Sequence, residues 1–310
     1  MDDQFRSIGL FALAAVLTGG VYVATKAGLP YVPPVLFASF RFGVAAVLLM
    51  GYVRLTTQDW YPSTRADWMA ILAAGGLVVA TANALLFVGQ QFTTSATAAV
   101  LVSVNPVLTA GFAVVLLPNT DFSLRRLVGL LVGLAGVGIV ARPASASAPL
   151  LSALGVGLIV AAATALALGS VLLRRVTTQL STLAITGWAT AVGGLTLFVL
   201  SLALGESIAA IEWTRTAVVA VAYNGLLATP VVYVAYFELV ETIGPVRVNL
   251  LTYASPVVTA VAGWALLGET VPPATMAGFV VIATGFVLVN YRAFRRAIRL
   301  GSSTTGRTGE

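Results

Sequence analysis

Histidine and cysteine are both missing from this 310-residue chain, and charge is scarce: only 9% of residues are Asp, Glu, Lys or Arg. Without them there is no Ser-His-Asp triad, no Cys-His nucleophile, no zinc site of thiolates and imidazoles, and no disulfide. Eleven carboxylates are all that remain for acid–base or metal chemistry. An ordinary soluble domain is about 25% charged, so this chain lacks the polar surface needed to face water. No GxxxxGK loop is present to cradle a nucleotide phosphate. The residues imply no catalytic centre, cofactor or metal.

Apolar residues and glycine are abundant instead, with 59% hydrophobic residues and 30 Gly. A helix that crosses a bilayer needs about 20 mostly apolar residues. Reading between charges and turn residues gives ten such segments, at 8–27, 34–53, 68–90, 95–117, 127–141, 151–173, 183–204, 216–237, 245–267 and 274–291. The expected fold is therefore an all-α membrane protein of ten transmembrane helices. The fifth segment is short unless the stems of Arg125 and Arg126 snorkel at its start. The first follows Asp2 and Asp3 as well as Arg6, so it reads as a retained helix rather than a cleaved signal.

Basic residues set the orientation. With ten spans, the side holding both termini carries thirteen Arg, from Arg6, Arg54 and Arg65 through Arg174 and Arg175 to the tail Arg292–Arg307. The opposite side holds three, Lys26, Arg142 and Arg215, with Arg41 inside span two. Both termini are expected in the cytoplasm. The same bias explains the pI of about 10 without nucleic acid as a partner. The 292–310 tail reads as an orientation signal that also suits anionic lipid, with Ser302–Gly309 expected to be disordered.

A shift of 150 residues superposes Gly75 on Gly225, Leu101 on Leu251, Pro106 on Pro256, Thr109 on Thr259 and Leu116 on Leu266. A one-residue slip then aligns Gly129 with Gly278 and Gly136 with Gly285. The repeat units are residues 1–143 and 150–291, across a linker at 144–149. Five spans is an odd number, so the second copy must sit upside down. Inverted repeats of this kind are typical of secondary transporters, with the site near the midplane between the halves.

Val102-Ser103-Val104-Asn105-Pro106 and Thr252-Tyr253-Ala254-Ser255-Pro256, with Leu266-Leu267-Gly268-Glu269 and the opening Thr18-Gly19-Gly20, Lys26, Pro34 and Arg41, resemble two EamA domains of the drug/metabolite transporter superfamily. The first half departs from the pattern, with Leu117-Pro118-Asn119 where the second has Leu267-Gly268-Glu269. The resemblance implies a ten-helix exporter of small metabolites with cytoplasmic termini in the cell inner membrane. Within that superfamily the resemblance points toward amino-acid exporters of the YddG type.

Polar groups inside spans should face a cavity or another helix, because lipid leaves them unpaired. Asn83 and Gln90 are seven apart, on one helical face. Asn249, Tyr253 and Pro256 follow one another at i, i+4 and i+7 in span nine. Together with Ser103, Tyr223, Tyr233 and Tyr22 they outline a weakly polar pocket between helices three, four, eight and nine, with helix one contributing. The alternative use of each is helix–helix hydrogen bonding, worth only about 0.6 kcal/mol on average. Lys26 is either an attractor for an anionic group or a snorkelling lysine. Arg41, the one ionised group well inside an apolar run, is either a ligand for a carboxylate or a brace; span two resembles a peripheral helix, which favours the brace.

Pro106, Pro230 and Pro256 lie within spans and are expected to act as hinges, static curvature being the alternative. Gly129 and Gly133 form a GxxxG pair, for packing within the chain or, less readily, at a dimer face. The oligomeric expectation is a monomer or weak dimer. No carboxylate sits at mid-span, so the expected mechanism is uncoupled facilitated diffusion or exchange, with a small metabolite and the bilayer as partners. Proton-coupled drug efflux is the competing transport mechanism; an intramembrane enzyme or a scaffold is the competing class.

Overall fold

Helices account for every regular element among the described residues, and none of those residues forms a strand. The computed structural model describes residues 2–118, 123–142 and 149–304. The helical segments are α1 Asp2–Gly28, α2 Pro34–Thr56, α3 Arg65–Gln90, α4 Ser95–Leu116, α5 Leu124–Val140, α6 Pro149–Leu173, α7 Thr182–Ala203, α8 Arg215–Ile243, α9 Leu251–Leu267 and α10 Pro273–Thr304. Eight of them are long and apolar enough to cross a membrane, and α9 is a shorter apolar helix. α5 has 17 residues. Large apolar side chains such as Leu55, Val115, Trp264 and Leu266 stand exposed around the outside, as a surface that faces lipid requires.

Starts are set by local chemistry. Thr64 and Asp67 form a reciprocal capping box at the head of α3, while the hydroxyls of Thr94, Ser123, Ser181 and Thr214 cap α4, α5, α7 and α8. α9 ends at Gly268, whose φ of 65° suits a residue without a Cβ. The tail differs from expectation: α10 continues as helix through Thr304, so Ser302 to Thr304 are not a disordered start. Residues 305–310, the linker at 143–148 and the side chains of the basic tail lie outside what is described.

Four of the helical segments depart from regular α geometry. α3 widens to π geometry over Ala74–Thr81, and α8 over Tyr223–Ala228. These stretches overlap under the 150-residue shift. In α3 the Asn83 amide donates to the carbonyls of Val78 (3.2 Å) and Val79 (2.8 Å). In α8 the Thr229 hydroxyl donates to Asn224 O at 2.7 Å, and Pro230 has no N–H to continue the ladder. α4 breaks at Ser103–Val104 and restarts with Pro106 in its first turn, a position that needs no N–H donor. The ninth segment is not continuous from 245 to 267: a short turn, Pro245–Val248, precedes α9, with Asn249 and Leu250 between them. There the bonds from Leu250, Thr252 and Tyr253 reach back three residues rather than four, the tighter 3-10 spacing.

The packing repeats when the halves are exchanged. α1 lies against α9 as α6 lies against α4; α1 against α8 as α6 against α3; α2 against α8 as α7 against α3. α2–α7, α4–α9 and α5–α10 are pairs of corresponding helices. In α5–α10 the glycines interlock crosswise, Gly129 on Gly285 and Gly136 on Gly278. The GxxxG stripe is therefore spent within the chain.

Candidate functional site

A cavity of about 200 Å³ opens where α1, α2, α3, α4, α6 and α8 converge. Both π stretches border it, through Val78 in α3 and Ala228 in α8; such bulges in helices often mark functional sites. α6 offers Ala162 and Ala163 here, and these small side chains leave the space that the other walls enclose. The polar lining consists of Thr18, Tyr22, Arg41, Asn83, Thr229 and Tyr233. Asn83 and Tyr233, which correspond under the 150-residue shift, meet in this one space.

Arg41 is the only charged residue in the lining. Its Nε donates to Thr229 Oγ1 at 2.9 Å, and that hydroxyl in turn donates to the Asn224 carbonyl, which also accepts the Thr229 N–H. The guanidinium carbon lies 4.8 Å from the centroid of the Phe42 ring and 6.0 Å from that of Phe87. Phe87 is itself fixed edge-on against Phe37 at 5.4 Å. Thr229, the residue that closes the π stretch of α8, thus orients Arg41. The expectation of a peripheral α2 does not hold, because α2 packs against α3, α7 and α8 and presents Arg41 to the cavity.

Of the residues expected to bind substrate, Tyr22, Asn83 and Tyr233 line the cavity. The others serve elsewhere. Gln90 is buried and donates to Tyr22 O at 2.5 Å, tying α3 to α1. Ser103 is buried and donates to Val100 O at 2.6 Å, serving a carbonyl at the α4 break. Lys26 caps the end of α3 through Gln90 O (2.9 Å) and Gln91 O (3.2 Å), and borders a separate space of about 430 Å³ with Arg142. Tyr223 donates to Leu17 O at 3.1 Å and faces a groove between α1, α8 and α9. Asn249 occupies the turn before α9. Tyr253 packs on Phe286 (4.6 Å between ring centroids) and Phe279 (6.4 Å), its hydroxyl buried without a partner among the described residues. No α9 residue is in the cavity lining; α2 and α6 take that place. Pro230 follows the α8 bulge and Pro256 lies inside α9. Sequence reasoning missed the bordering role of Thr229, and the signal was present: a Thr-Pro pair within a span marks freed carbonyls.

On the side of the molecule that holds Lys26, Glu269 accepts from Ser95 N at 3.1 and 3.0 Å and from its hydroxyl at 2.5 Å, joining the end of α9 to the start of α4. Glu206 likewise receives Val35 N (3.1 Å) and Leu36 N (2.7 Å) at the start of α2. At the opposite side, Arg6 pairs with Glu238 at 2.6 Å, and Trp188 stacks on Trp60 with its Nε1 donating to Trp60 O at 2.8 Å. Among the described residues no group of His, Cys, Asp and Glu could hold a metal ion.

The EamA-like transporter family matches this chain twice, over residues 5–142 and 153–291. The uncharacterized transporter YvbV of Bacillus subtilis is 24% identical over 288 residues, covering 93% of this chain and 92% of that protein. The uncharacterized inner membrane transporter YedA of Escherichia coli is 29% identical over 283 residues, covering 90% of this chain and 89% of that protein. A solved crystal structure shares the fold at a TM-score of 0.62 and 18% identity, covering 93% of this chain and 98% of that one.

Proposed function

The chain belongs to the EamA-like transporter family, and from that premise we propose that it exports small metabolites, neutral and aromatic amino acids foremost, by alternating access between two halves inverted in the bilayer. The observation that carries this reading is the cavity that both halves line, with Tyr22 and Asn83 from the first and Thr229 and Tyr233 from the second. Secondary transporters hold substrate near mid-membrane between their repeats. At about 200 Å³ the space falls below the roughly 300–1,000 Å³ of pockets for drug-sized ligands, which favours a small metabolite. Amide and hydroxyl groups orient the polar ends of the solute, and the aromatic rings hold its side chain.

Five helices per half, paired crosswise as in α5–α10, support inversion of the second unit, 150–291, relative to the first, 1–143, across the linker 144–149. Thirteen basic residues against three support cytoplasmic termini and a cytoplasmic tail at 292–310. The inner membrane location in the name of YedA supports the same membrane here. The cavity lining has no carboxylate, which favours downhill flux or exchange over proton coupling. Pro106, Pro230 and Pro256, each beside or within an irregular helix, are the hinges. Gln90, Ser103, Lys26, Tyr223, Asn249 and Tyr253 position the helices around the site. The protein works as a monomer or weak dimer.

The test is flux of labelled neutral amino acids into liposomes holding purified protein, with and without a pH gradient. Entry down the concentration gradient alone supports the reading. Strict dependence on the pH gradient overturns the uncoupled mechanism, and silence toward every amino acid from folded protein overturns the substrate class.

A further inference from the structure

An arginine deep in a membrane protein is expensive unless it is paired or faces water, so its partners identify its role. Arg41 has no carboxylate partner: the one ion pair among the described residues is Arg6 with Glu238. Its Nε is engaged by Thr229 at 2.9 Å, and among the described residues neither terminal nitrogen forms a hydrogen bond. The guanidinium is nonetheless held in place, between the Thr229 bond on one edge and the faces of Phe42 and Phe87. A guanidinium fixed through Nε presents its two Nη groups as a fork, the geometry that receives a carboxylate through two parallel hydrogen bonds. Arg41 borders the cavity, and no acid competes for it there.

We infer that Arg41 is the anchor for a substrate carboxylate, so that the cavity selects solutes bearing one carboxylate on a short apolar or aromatic body. The inference rests on the reading of this cavity as the transport site, and narrows what enters it. A phosphate ester carries nearly two charges and calls for more than one cation, whereas the lining supplies one. Apolar groups dominate the remaining wall, including Val21, Phe42, Leu86 and Val232. Tyr22, Tyr233 and Asn83 Oδ1 remain to accept from an ammonium or hydroxyl on the same solute.

The test is ligand titration of the detergent-purified full chain, read as a shift in its thermal unfolding midpoint by tryptophan fluorescence. The probes are 3-phenylpropionate, L-phenylalanine, L-phenylalanine amide and inorganic phosphate. Both acids are expected to raise the midpoint saturably, with the amide weaker by about tenfold or more, as for loss of a charge-assisted pair. Arg41→Gln is expected to abolish the preference for acid over amide, and Arg41→Lys, which keeps the charge but not the fork, to retain part of it. The proposal is overturned if acid and amide titrate alike on the natural chain, if Arg41→Gln keeps the preference, if neither acid binds, or if phosphate binds more tightly than both through Arg41. Should Arg41→Gln fail to fold, the acid-against-amide comparison on the natural chain decides alone. Binding of 3-phenylpropionate through Arg41, with no amino acid carried into liposomes, would sink the amino-acid reading and leave this one standing. Amino-acid flux indifferent to Arg41→Gln would do the reverse.

Discussion

The hydroxyl of Tyr253 is buried without a partner among the described residues, while its ring stacks on Phe286. A buried hydroxyl that forms no hydrogen bond costs about 1–3 kcal/mol. Tyr253→Phe keeps the ring and removes the cost, so we expect a thermal midpoint equal to or above that of the natural chain, with flux unchanged. A midpoint several degrees lower would show that the hydroxyl is bonded after all. Asn83 carries the opposite prediction, because its amide serves two backbone carbonyls as well as the cavity. Asn83→Leu removes both bonds, although Val79 O keeps the Ala82 N–H, and is expected to lower both the midpoint and flux, the loss of stability being about 0.5–1.5 kcal/mol per bond. Residues alike in a sequence reading thus separate by what their polar atoms touch.

The α5–α10 pair shows how closely elements can approach when both faces lack side chains. A methyl at Gly285 would stand 2.6 Å from Gly133 N and 2.7 Å from Gly129 O, and at Gly136 it would stand 2.9 Å from Gly278 O. Backbone atoms cannot give way as a flexible side chain can, so the helices would have to separate along their whole contact. Gly285→Val is expected to abolish recovery of monodisperse protein in detergent. Gly138, in α5, meets nothing within 4 Å, and Gly138→Ala is expected to be neutral or to stabilise by up to about 1 kcal/mol through helix propensity. Equal losses from both substitutions would show that α5 does not pack as described. The spacing of the glycines made the stripe visible in the sequence; its partner was not, since GxxxG serves any close neighbour.

At the scale of the whole molecule, absence of cysteine becomes an advantage, because any single introduced cysteine is the only thiol present. Ser207, in the exposed connection between α7 and α8, and Asp59, exposed between α2 and α3, lie at opposite ends of the helix bundle. With cytoplasmic termini, Ser207→Cys is expected to react with a membrane-impermeant maleimide on intact cells, and Asp59→Cys only after permeabilisation. The reversed pattern would overturn the orientation argued from basic residues. Pairwise contacts repeat on exchange of the halves, and residues of both halves line the cavity.

The all-helical class, the approximate position of every helix and the family were legible in the sequence, because apolar run length, charge bias and a repeated Pro and Gly spacing act locally along the chain. Asn83, Tyr22 and Tyr233 were also legible as cavity residues, since a polar group in a lipid-spanning segment must find a polar neighbour. Several features were not. Whether Asn83 faces a cavity while Tyr253 faces α10 depends on the rotation of each helix about its axis, which packing sets. The breaks at Ser103–Val104 and Asn249–Leu250 shift that rotation partway along α4 and before α9. The position of Arg41 was decided only in three dimensions, because α2 meets the bulge of α8 188 residues away in sequence, where Thr229 holds its guanidinium. Composition and period fixed what each segment is; long-range packing decided what each side chain sees.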